Sequence, residues 1–331
     1  MKRVIGMSKK NLVCLASMLF ISLFFTACDD VFEDDITDDN ITISTPLNGT
    51  ILAGNSVAFQ WHSNSGSDDY RVQVSNVSNV IVIDSLVPTN SITFPLTPGE
   101  YSWRVRGENF AYQTAYTFPV AFTLEASEVM TDQTVILNSP SDNFYTNTSS
   151  GQLVTWVGIS TADSYTFELD RDVLGGVSTI NQTPGITTTS YSITNADMST
   201  DGIYVWKIKA LNTATITETV YSTRKILLDT QLPNIASLGT PLADATESQN
   251  TAVVFVWDNG TDSGVVQSSV NSVLELATDI AFTNIDQSYT VATNTAMHTF
   301  TTIGDYYWRI KNTDVAGNSS NYSVSRKVTI N

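Results

Sequence analysis

The chain has 331 residues, 42% of them hydrophobic and 15% charged, with a formal charge of −17. That length allows two or three domains with real cores, and the acidity excludes nucleic acid as an expected partner while leaving room for a cation or a neutral ligand such as a glycan. Both cysteines, Cys14 and Cys28, fall in the first 28 residues, so the body has no internal disulfide, Cys-zinc site or Cys nucleophile. His62 and His298 lack zinc-ligand spacing, and neither a metal nor a cofactor is expected.

The chain opens with Lys2, Arg3, Lys9 and Lys10, followed by the apolar run NLVCLASMLFISLFFTAC. A basic segment ahead of a run this short reads as an export signal rather than a stable membrane span. Without residues 1–27, 12 basic and 33 acidic residues remain and the formal charge becomes −21. The sequence Phe25-Thr26-Ala27-Cys28 resembles the lipobox of bacterial lipoproteins, although Phe25 departs from the usual Leu. The resemblance implies a signal peptide over 1–27, acyl chains (palmitate) on Cys28, and the membrane as a partner through that anchor; several chains hold a soluble body where one would not. The alternative is an ordinary signal peptide with an incidental cysteine. Residues 28–40 follow as an acidic tether with seven carboxylates, expected to stay extended and solvated. They lack the central Gly and closing Glu of an EF-hand loop. An acidic run directly after the lipid cysteine is similar to the surface-export signal of Bacteroidetes-type lipoproteins, implying an outer-membrane protein facing the exterior. In an enterobacterium, Asp29 at that place would imply inner-membrane retention instead.

Three copies of one module follow, expected over 41–127, 133–229 and 233–331. Each begins with Ser/Thr-Pro (Thr45-Pro46, Ser139-Pro140, Thr240-Pro241), with a tryptophan 15 or 16 residues on (Trp61, Trp156, Trp257). Each later carries the phrase G-x-Y-x-W-[RK]-[VI]-[RK]: GEYSWRVR at 99–106, GIYVWKIK at 202–209 and GDYYWRIK at 304–311. All six tryptophans are thereby assigned, and a period near one hundred residues is a full domain rather than a solenoid repeat. Apolar residues alternate with period two, as in Tyr101-x-Trp103-x-Val105 and Tyr165-x-Phe167-x-Leu169, which places them on one face of a strand. Short strands, turn residues and no amphipathic helix predict an all-β fold of three tandem sandwiches.

The second copy's Tyr204-x-Trp206-x-Ile208-x-Ala210-x-Asn212 and the first copy's Tyr101-x-Trp103-x-Val105-x-Gly107-x-Asn109 resemble the F strand of fibronectin type III and related bacterial Ig-like modules. Leu96-Thr97-Pro98-Gly99 is similar to the lead-in of that family's tyrosine corner, and LDTQLP (228–233) to D-T-x-x-P junctions. The likeness covers about residues 41–331. It implies a fold and is nearly silent on function.

Tyr101, Trp103 and Val105 are therefore read as core and not as a sugar platform. Outward along the same strands lie Arg104 and Arg106, Lys207 and Lys209, Arg309 and Lys311. Glu168 and Glu275 are expected across from the bases of copies two and three, where the first copy has Gln73. Arg71, Arg104 and Arg106 are thus a candidate binding face, which Glu100 and Glu108 could neutralise. Phe110 and Tyr112 in the first copy's F–G region, and Phe144 and Tyr145 in the second copy's A–B region, are candidate sugar-contact aromatics. Asp258, Asp262 and Asp314 sit in Gly-containing loops, where turn formation explains them more simply than calcium. Asp84-Ser85-Leu86 fits a loose O-glycosylation pattern. No catalytic motif occurs, and the chain is expected to end with the third copy's last strand, without a further domain to carry an activity. The expected function is that of a non-catalytic surface lipoprotein, adhesive, binding or spacing, acting on a surface protein or glycan. The alternative is a glycan-binding accessory lipoprotein of a polysaccharide-utilisation system.

Overall fold

A computed structural model describes residues 33–173 and 176–331. The expected signal peptide, Cys28 and the first part of the acidic run lie outside the described residues. Among the described residues, no helix is long and apolar enough to cross a membrane.

The first copy forms β1 (Thr42–Thr45), β2 (Thr50–Ala53), β3 (Ser56–His62), β4 (Asp69–Asn76), β5 (Ile81–Val87), β6 (Ser91–Pro95), β7 (Gly99–Glu108) and β8 (Val120–Glu125). The second forms β9 (Leu137–Ser139), β10 (Phe144–Thr146), β11 (Gln152–Trp156), β12 (Ser164–Val173), β13 (Gly176–Ile186), β14 (Ser190–Ile193), β15 (Gly202–Asn212), β16 (Thr217–Glu218) and β17 (Ser222–Leu228). The third forms β18 (Ser237–Thr240), β19 (Ala245–Glu247), β20 (Ala252–Asp258), β21 (Asn271–Ala277), β22 (Ile285–Val291), β23 (Thr295–Thr299), β24 (Gly304–Thr313) and β25 (Arg326–Ile330). Each copy has a three-stranded sheet (β1-β3-β6, β14-β11-β9, β18-β20-β23) facing a larger one (β2-β8-β7-β4-β5, β10-β17-β15-β12-β13, β19-β25-β24-β21-β22). This is the A-B-E against G-F-C-C′ order of a fibronectin-III/Ig-like sandwich, the fold class the sequence predicts, with an added A′ strand beside G that pairs in parallel in the second and third copies. By compactness the chain divides in two: one unit takes in Ala58–Phe94 and Gly99–Thr123, the other Leu124–Asn331 with Ile51–Val57 and Pro95–Pro98.

Period-two alternation sends one set of side chains between the sheets. All six tryptophans are buried, with Val72, Val74, Phe167, Leu169, Leu274 and Leu276 on the facing strands. Burying each of these apolar side chains contributes about 1.5–3 kcal/mol. Register places Val74 opposite Trp103, Leu169 opposite Trp206 and Leu276 opposite Trp308. The conserved geometry extends to the tyrosine ahead of the tryptophan: Tyr204 and Tyr306 are buried, and their hydroxyls donate to the carbonyls of Thr200 (2.6 Å) and Thr302 (3.1 Å) four residues upstream. Such a bond defines a tyrosine corner. Tyr101 departs from its expected core place. It is only half-buried and stacks on Phe122 at 5.6 Å.

The acidic run is not solvated to residue 40. Ile36 is buried, the Asp39 N–H donates to the Ile36 carbonyl, and Asn109 Nδ2 donates to the Asp34 carbonyl at 2.9 Å. One apolar side chain within the acidic run is enough to dock its last turn on the first sandwich.

Candidate functional site

The outward face of the large sheet carries F-strand bases in all three copies, and in the second and third these pair with a glutamate on the neighbouring strand. In copy two, Glu168 lies opposite Lys207 in register and its carboxylate is 2.7 Å from Lys207 Nζ. Asp170, which the sequence reading missed, also pairs with Lys207. In copy three, Glu275 lies opposite Arg309 and accepts from its Nε and Nη2 at 2.9 and 2.7 Å. Hydrogen bonding to Lys207 holds the Glu168 carboxyl below its ordinary range. Burial alone would lower the Lys207 ammonium's pKa, but the bonds to Asp170 and Glu168 outweigh it and the net shift is upward.

In the first copy the structure does bring Arg71, Arg104 and Arg106 together, and each is already engaged. Arg71 reaches Glu108 at 2.8 Å and Asp84 at 3.2 Å. Arg106 pairs with Glu108 at 2.7 Å, and Arg104 donates twice to Gln73 Oε1, at 3.0 and 2.7 Å. The Arg71 guanidinium is held protonated more firmly than usual, first by Glu108 and then by Asp84. Burial would raise the Glu108 carboxyl, yet the bonds from Arg71 and Arg106 bring it below its ordinary value. Glu100, the other acid expected to neutralise this face, is exposed and joins none of the ion pairs among the described residues.

A tyrosine covers these bases in every copy. The Tyr116 ring centroid lies 4.2 Å from the Arg104 guanidinium and 4.6 Å from that of Arg106. Lys207 and Lys209 approach Tyr221 at 5.8 and 5.2 Å, and Arg309 lies 3.6 Å over Tyr322. These are cation–π distances. The tyrosines belong to a motif the sequence reading did not pick out, [ST]-x-Y-[ST]: TAYT at 114–117, TVYS at 219–222 and SNYS at 320–323. Its first hydroxyl accepts the F-strand N–H of Gly107, Ala210 or Asn312 at 3.0–3.1 Å. The same residue's N–H donates to that residue's carbonyl at 2.9–3.0 Å. The hydroxyl thus satisfies an F-strand donor before the regular G-strand ladder begins, which fixes the tyrosine between.

The candidate aromatics fall into two groups. Phe110 and Tyr112 sit on a turn closed by Asn109 Oδ1, which accepts from the Ala111 and Tyr112 N–H groups. Phe110 is 94% exposed, as is nearly all of Phe118 on the same connection, a residue the sequence reading passed over. Phe144 and Tyr145 are in a strand and not in a loop: β10 pairs parallel with β17, Phe144 opposite Ile226. The Tyr145 ring is half-buried, and its hydroxyl lies 3.5 Å from the Gln267 carbonyl.

A cluster of carboxylates gathers where the second sandwich leads into the third. Asp229, Asp262 and Asp314 are all buried, and one oxygen from each lies within 4.8 Å of those of the other two. The turn reading holds for Asp258, which accepts the Gly260 N–H at 3.0 Å. It is incomplete for the other two. Asp262 accepts the Ser263 and Ser268 N–H groups, and Asp314 those of Gly317 and Asn318, but both also converge on Asp229. Asp229 Oδ1 accepts the Gln231 N–H at 3.0 Å, while its Oδ2 is buried with no hydrogen-bond partner. Burial, together with the charges of Asp262, Asp314 and Asp201, raises the Asp229 carboxyl against the opposing Gln231 bond. Three buried oxygen-donor carboxylates form the donor set of a hard cation.

No protein-family model matches the chain, and no curated protein matches it. Among solved structures, the chain is similar to the FN1–FN3 domains of chicken CNTN1, with 14% identity, 88% of this chain and 97% of that chain covered, and a TM-score of 0.43. It is also similar to the fibronectin(III)-like modules of Clostridium thermocellum CbhA, with 13% identity, 57% and 94% coverage, and a TM-score of 0.23. The fold assignment rests on the sheet order and register described above, not on these likenesses.

Proposed function

We propose that the chain is a surface lipoprotein, anchored through acyl groups on Cys28, that acts as a binding protein through its tandem sandwiches. The contact itself is assigned to the F–G connection of the first sandwich. The observation that carries this is the state of Phe110 and Phe118, almost wholly exposed on a connection whose backbone is tied down by Asn109, Thr114 and Thr117. Exposed aromatics on an ordered loop offer apolar contact at little ordering cost. The arginine face is the weaker contact candidate, because Arg71, Arg104 and Arg106 already have intramolecular partners.

The test is binding of the full chain to a glycan array and to whole cells, with Phe110→Ser and Phe118→Ser alongside. Loss of cell binding in either variant with an unchanged melting curve supports a protein partner at this loop. Loss of a defined glycan signal instead supports the accessory glycan-binding role. Binding untouched by both variants removes the loop from the reading. Protease shaving of intact cells, expected to release the sandwiches, tests display; metabolic palmitate labelling that survives Cys28→Ser would remove the anchor.

A further inference from the structure

The Asp229–Asp262–Asp314 cluster is unlike the other acidic features of this chain. Its members come from three segments: Asp229 directly follows β17, Asp262 lies between β20 and β21, and Asp314 lies between β24 and β25. All three carboxylates are buried, and among the described residues no Lys, Arg or His forms an ion pair with any of them. Neutral donors hold both oxygens of Asp262 (Ser263 N–H on Oδ1, Ser268 N–H and Oγ on Oδ2) and both of Asp314 (Gly317 and Asn318 N–H on Oδ1, Asn318 Nδ2 on Oδ2), whereas Asp229 has a donor on Oδ1 alone. Of the six carboxylate oxygens, Asp229 Oδ2 is the one that is fully enclosed and has no hydrogen-bond partner. Neutral donors solvate the carboxylates of Asp262 and Asp314 but bring no positive charge, and a buried carboxylate oxygen left without any partner costs several kcal/mol, so the cluster gains from a counter-charge at Asp229.

The third copy differs from the other two at this place. Six residues after the F-strand tryptophan stand Asn109, Asn212 and Asp314. In all three, Oδ1 closes the following turn by accepting two backbone N–H groups. The asparagines use their second atom, Nδ2, to donate to backbone carbonyls: Asp34 and Gly66 at 2.9 Å each for Asn109, and Thr161 at 2.6 Å for Asn212. Asp314 keeps the turn but has an anionic oxygen where the others have N–H donors. That oxygen receives Asn318 Nδ2 at 2.9 Å, and the same amide donates at 2.9 Å to the Asp229 carbonyl. The third copy thus presents an acceptor where the other two present a donor, in the cluster with two further carboxylates.

We infer that Asp229, Asp262 and Asp314 bind a calcium ion that ties the 228–233 junction to the third sandwich. The donor set is all oxygen, as a hard cation requires. Oxygens within 4.8 Å of one another can be bridged by one ion with bonds of about 2.4 Å. Magnesium, with bonds of about 2.0–2.1 Å and strict octahedral demands, suits this spacing less well. The Asp229 N–H donates to the Thr146 carbonyl of the second sandwich at 3.0 Å. The ion therefore joins residues anchored on both sides of the junction. This inference is independent of the anchor and of the partner proposed above.

The experiment is calcium titration of the EGTA-stripped full chain by calorimetry, with thermal melts in EGTA, in calcium and in magnesium. One calcium is expected to bind per chain and to raise a melting transition by several degrees, with magnesium giving a smaller shift. Asp314→Asn installs the residue the other copies use, so the fold should accept it. The variant should lose the calcium response and, in EGTA, melt higher than the unmodified chain because the repulsion is reduced. No binding heat and equal melting in EGTA and calcium would overturn the inference, as would a calcium response that survives both Asp314→Asn and Asp229→Asn.

Discussion

The first sandwich and the other two solve one problem in different ways. In all three, the chain turns at a Ser/Thr-Pro bond beside the F-strand tryptophan, and the backbone carbonyls there need donors. In the first, Trp103 Nε1 donates to the Pro46 carbonyl at 3.0 Å. In the second, Arg224 Nη1 donates to Pro140 (2.6 Å) and Asn138 (3.0 Å) while Nη2 donates to Leu137 (2.6 Å). Arg326 does the same for Leu238, Gly239 and Pro241. Where the arginine takes the carbonyls, the indole N–H is left over: Trp206 Nε1 and Trp308 Nε1 are buried without partners. The tryptophan repeats because its volume fills the core, while its polar atom is used only where no arginine competes.

Removing that volume should have the largest effect. Trp206→Ala or Trp308→Ala should cost about 3–5 kcal/mol, read by calorimetry of the full chain as a large drop in one transition while the others stay. An unchanged thermogram would remove these residues from the core. Tryptophan to phenylalanine then separates the two solutions: Trp103→Phe should cost about 1 kcal/mol more than Trp206→Phe, because only Trp103 gives up a hydrogen bond and strands a carbonyl. Equal costs would mean that the wiring difference carries no energy.

The next effect is smaller. Arg224→Met or Arg326→Met keeps most of the aliphatic stem but unpairs three carbonyls, at about 1.5–3 kcal/mol for bonds from a charged donor. It should lower the second or third transition and leave the first in place. A shift of the first transition instead would break the comparison.

The outward face differs by an exchange across strands. Gln73 on β4 lies opposite Asp84 on β5, and Gln73 Nε2 donates to Asp84 at 2.9 Å. In the second sandwich Glu168 on β12 lies opposite Gln182 on β13, whose Nε2 donates to it at 2.8 Å. Acid and amide have traded places, so the first sandwich does have its carboxylate, one strand further out. Gln73→Glu alone puts two carboxylates side by side and should be destabilising. Asp84→Gln alone removes a partner of Arg71. The double variant restores the second sandwich's arrangement, and a double-mutant cycle by denaturant melts should give a favourable coupling of about 0.5–1 kcal/mol. Additive effects would deny the exchange.

These cases show what could be read from the chain and what could not. Period-two alternation is local, so Trp103, Val105 and their counterparts were assignable to the core and Glu168 and Glu275 to the outward face; their pairing with F-strand bases followed from the neighbouring C and F strands of the fold the resemblance implies, and only the structure gives the register with Lys207 and Arg309. Asp84 was not assignable to the arginines, because β4 and β5 are offset by a register shift between Val74 and Ser75, which alternation along one strand does not reveal. Tyr116, Tyr221 and Tyr322 were hidden by F–G connections of unequal length. The [ST]-x-Y-[ST] repeat gains meaning only once its hydroxyl is seen to bond the F strand. Asp262 lies 33 residues after Asp229 and 52 before Asp314; their meeting is a product of topology, and only the Asn-to-Asp change at Asp314 is visible in the sequence.

The smallest expected effect concerns pH, and again sets one sandwich against the others. The residue whose carbonyl receives the N–H of the first tryptophan is Asn90, Thr189 or Asn294, and four residues on stand Phe94, Ile193 and His298. Only the third sandwich has a titratable group there. His298 packs edge-on against Phe300 at 4.4 Å, and its Nδ1 lies 2.8 Å from the Tyr289 hydroxyl. Burial lowers its pKa below the ordinary 6.5, and Asp286, 3.7 Å from Nε2, opposes the shift without reversing it. Because the folded pKa is depressed, the unfolded chain takes up the proton first as pH falls. The stability contributed by the neutral ring is therefore complete above pH 6.5 and is lost as pH drops through the folded pKa. Melts of the full chain between about pH 7.5 and 5.5, a range bracketing the ordinary histidine value, should show the His298-dependent part of the third transition falling on acidification. His298→Phe, which restores the first sandwich's residue, should flatten that part. An identical pH slope in the variant would show that the ring's neutrality contributes nothing, and that the third sandwich differs from the first at this position in name only.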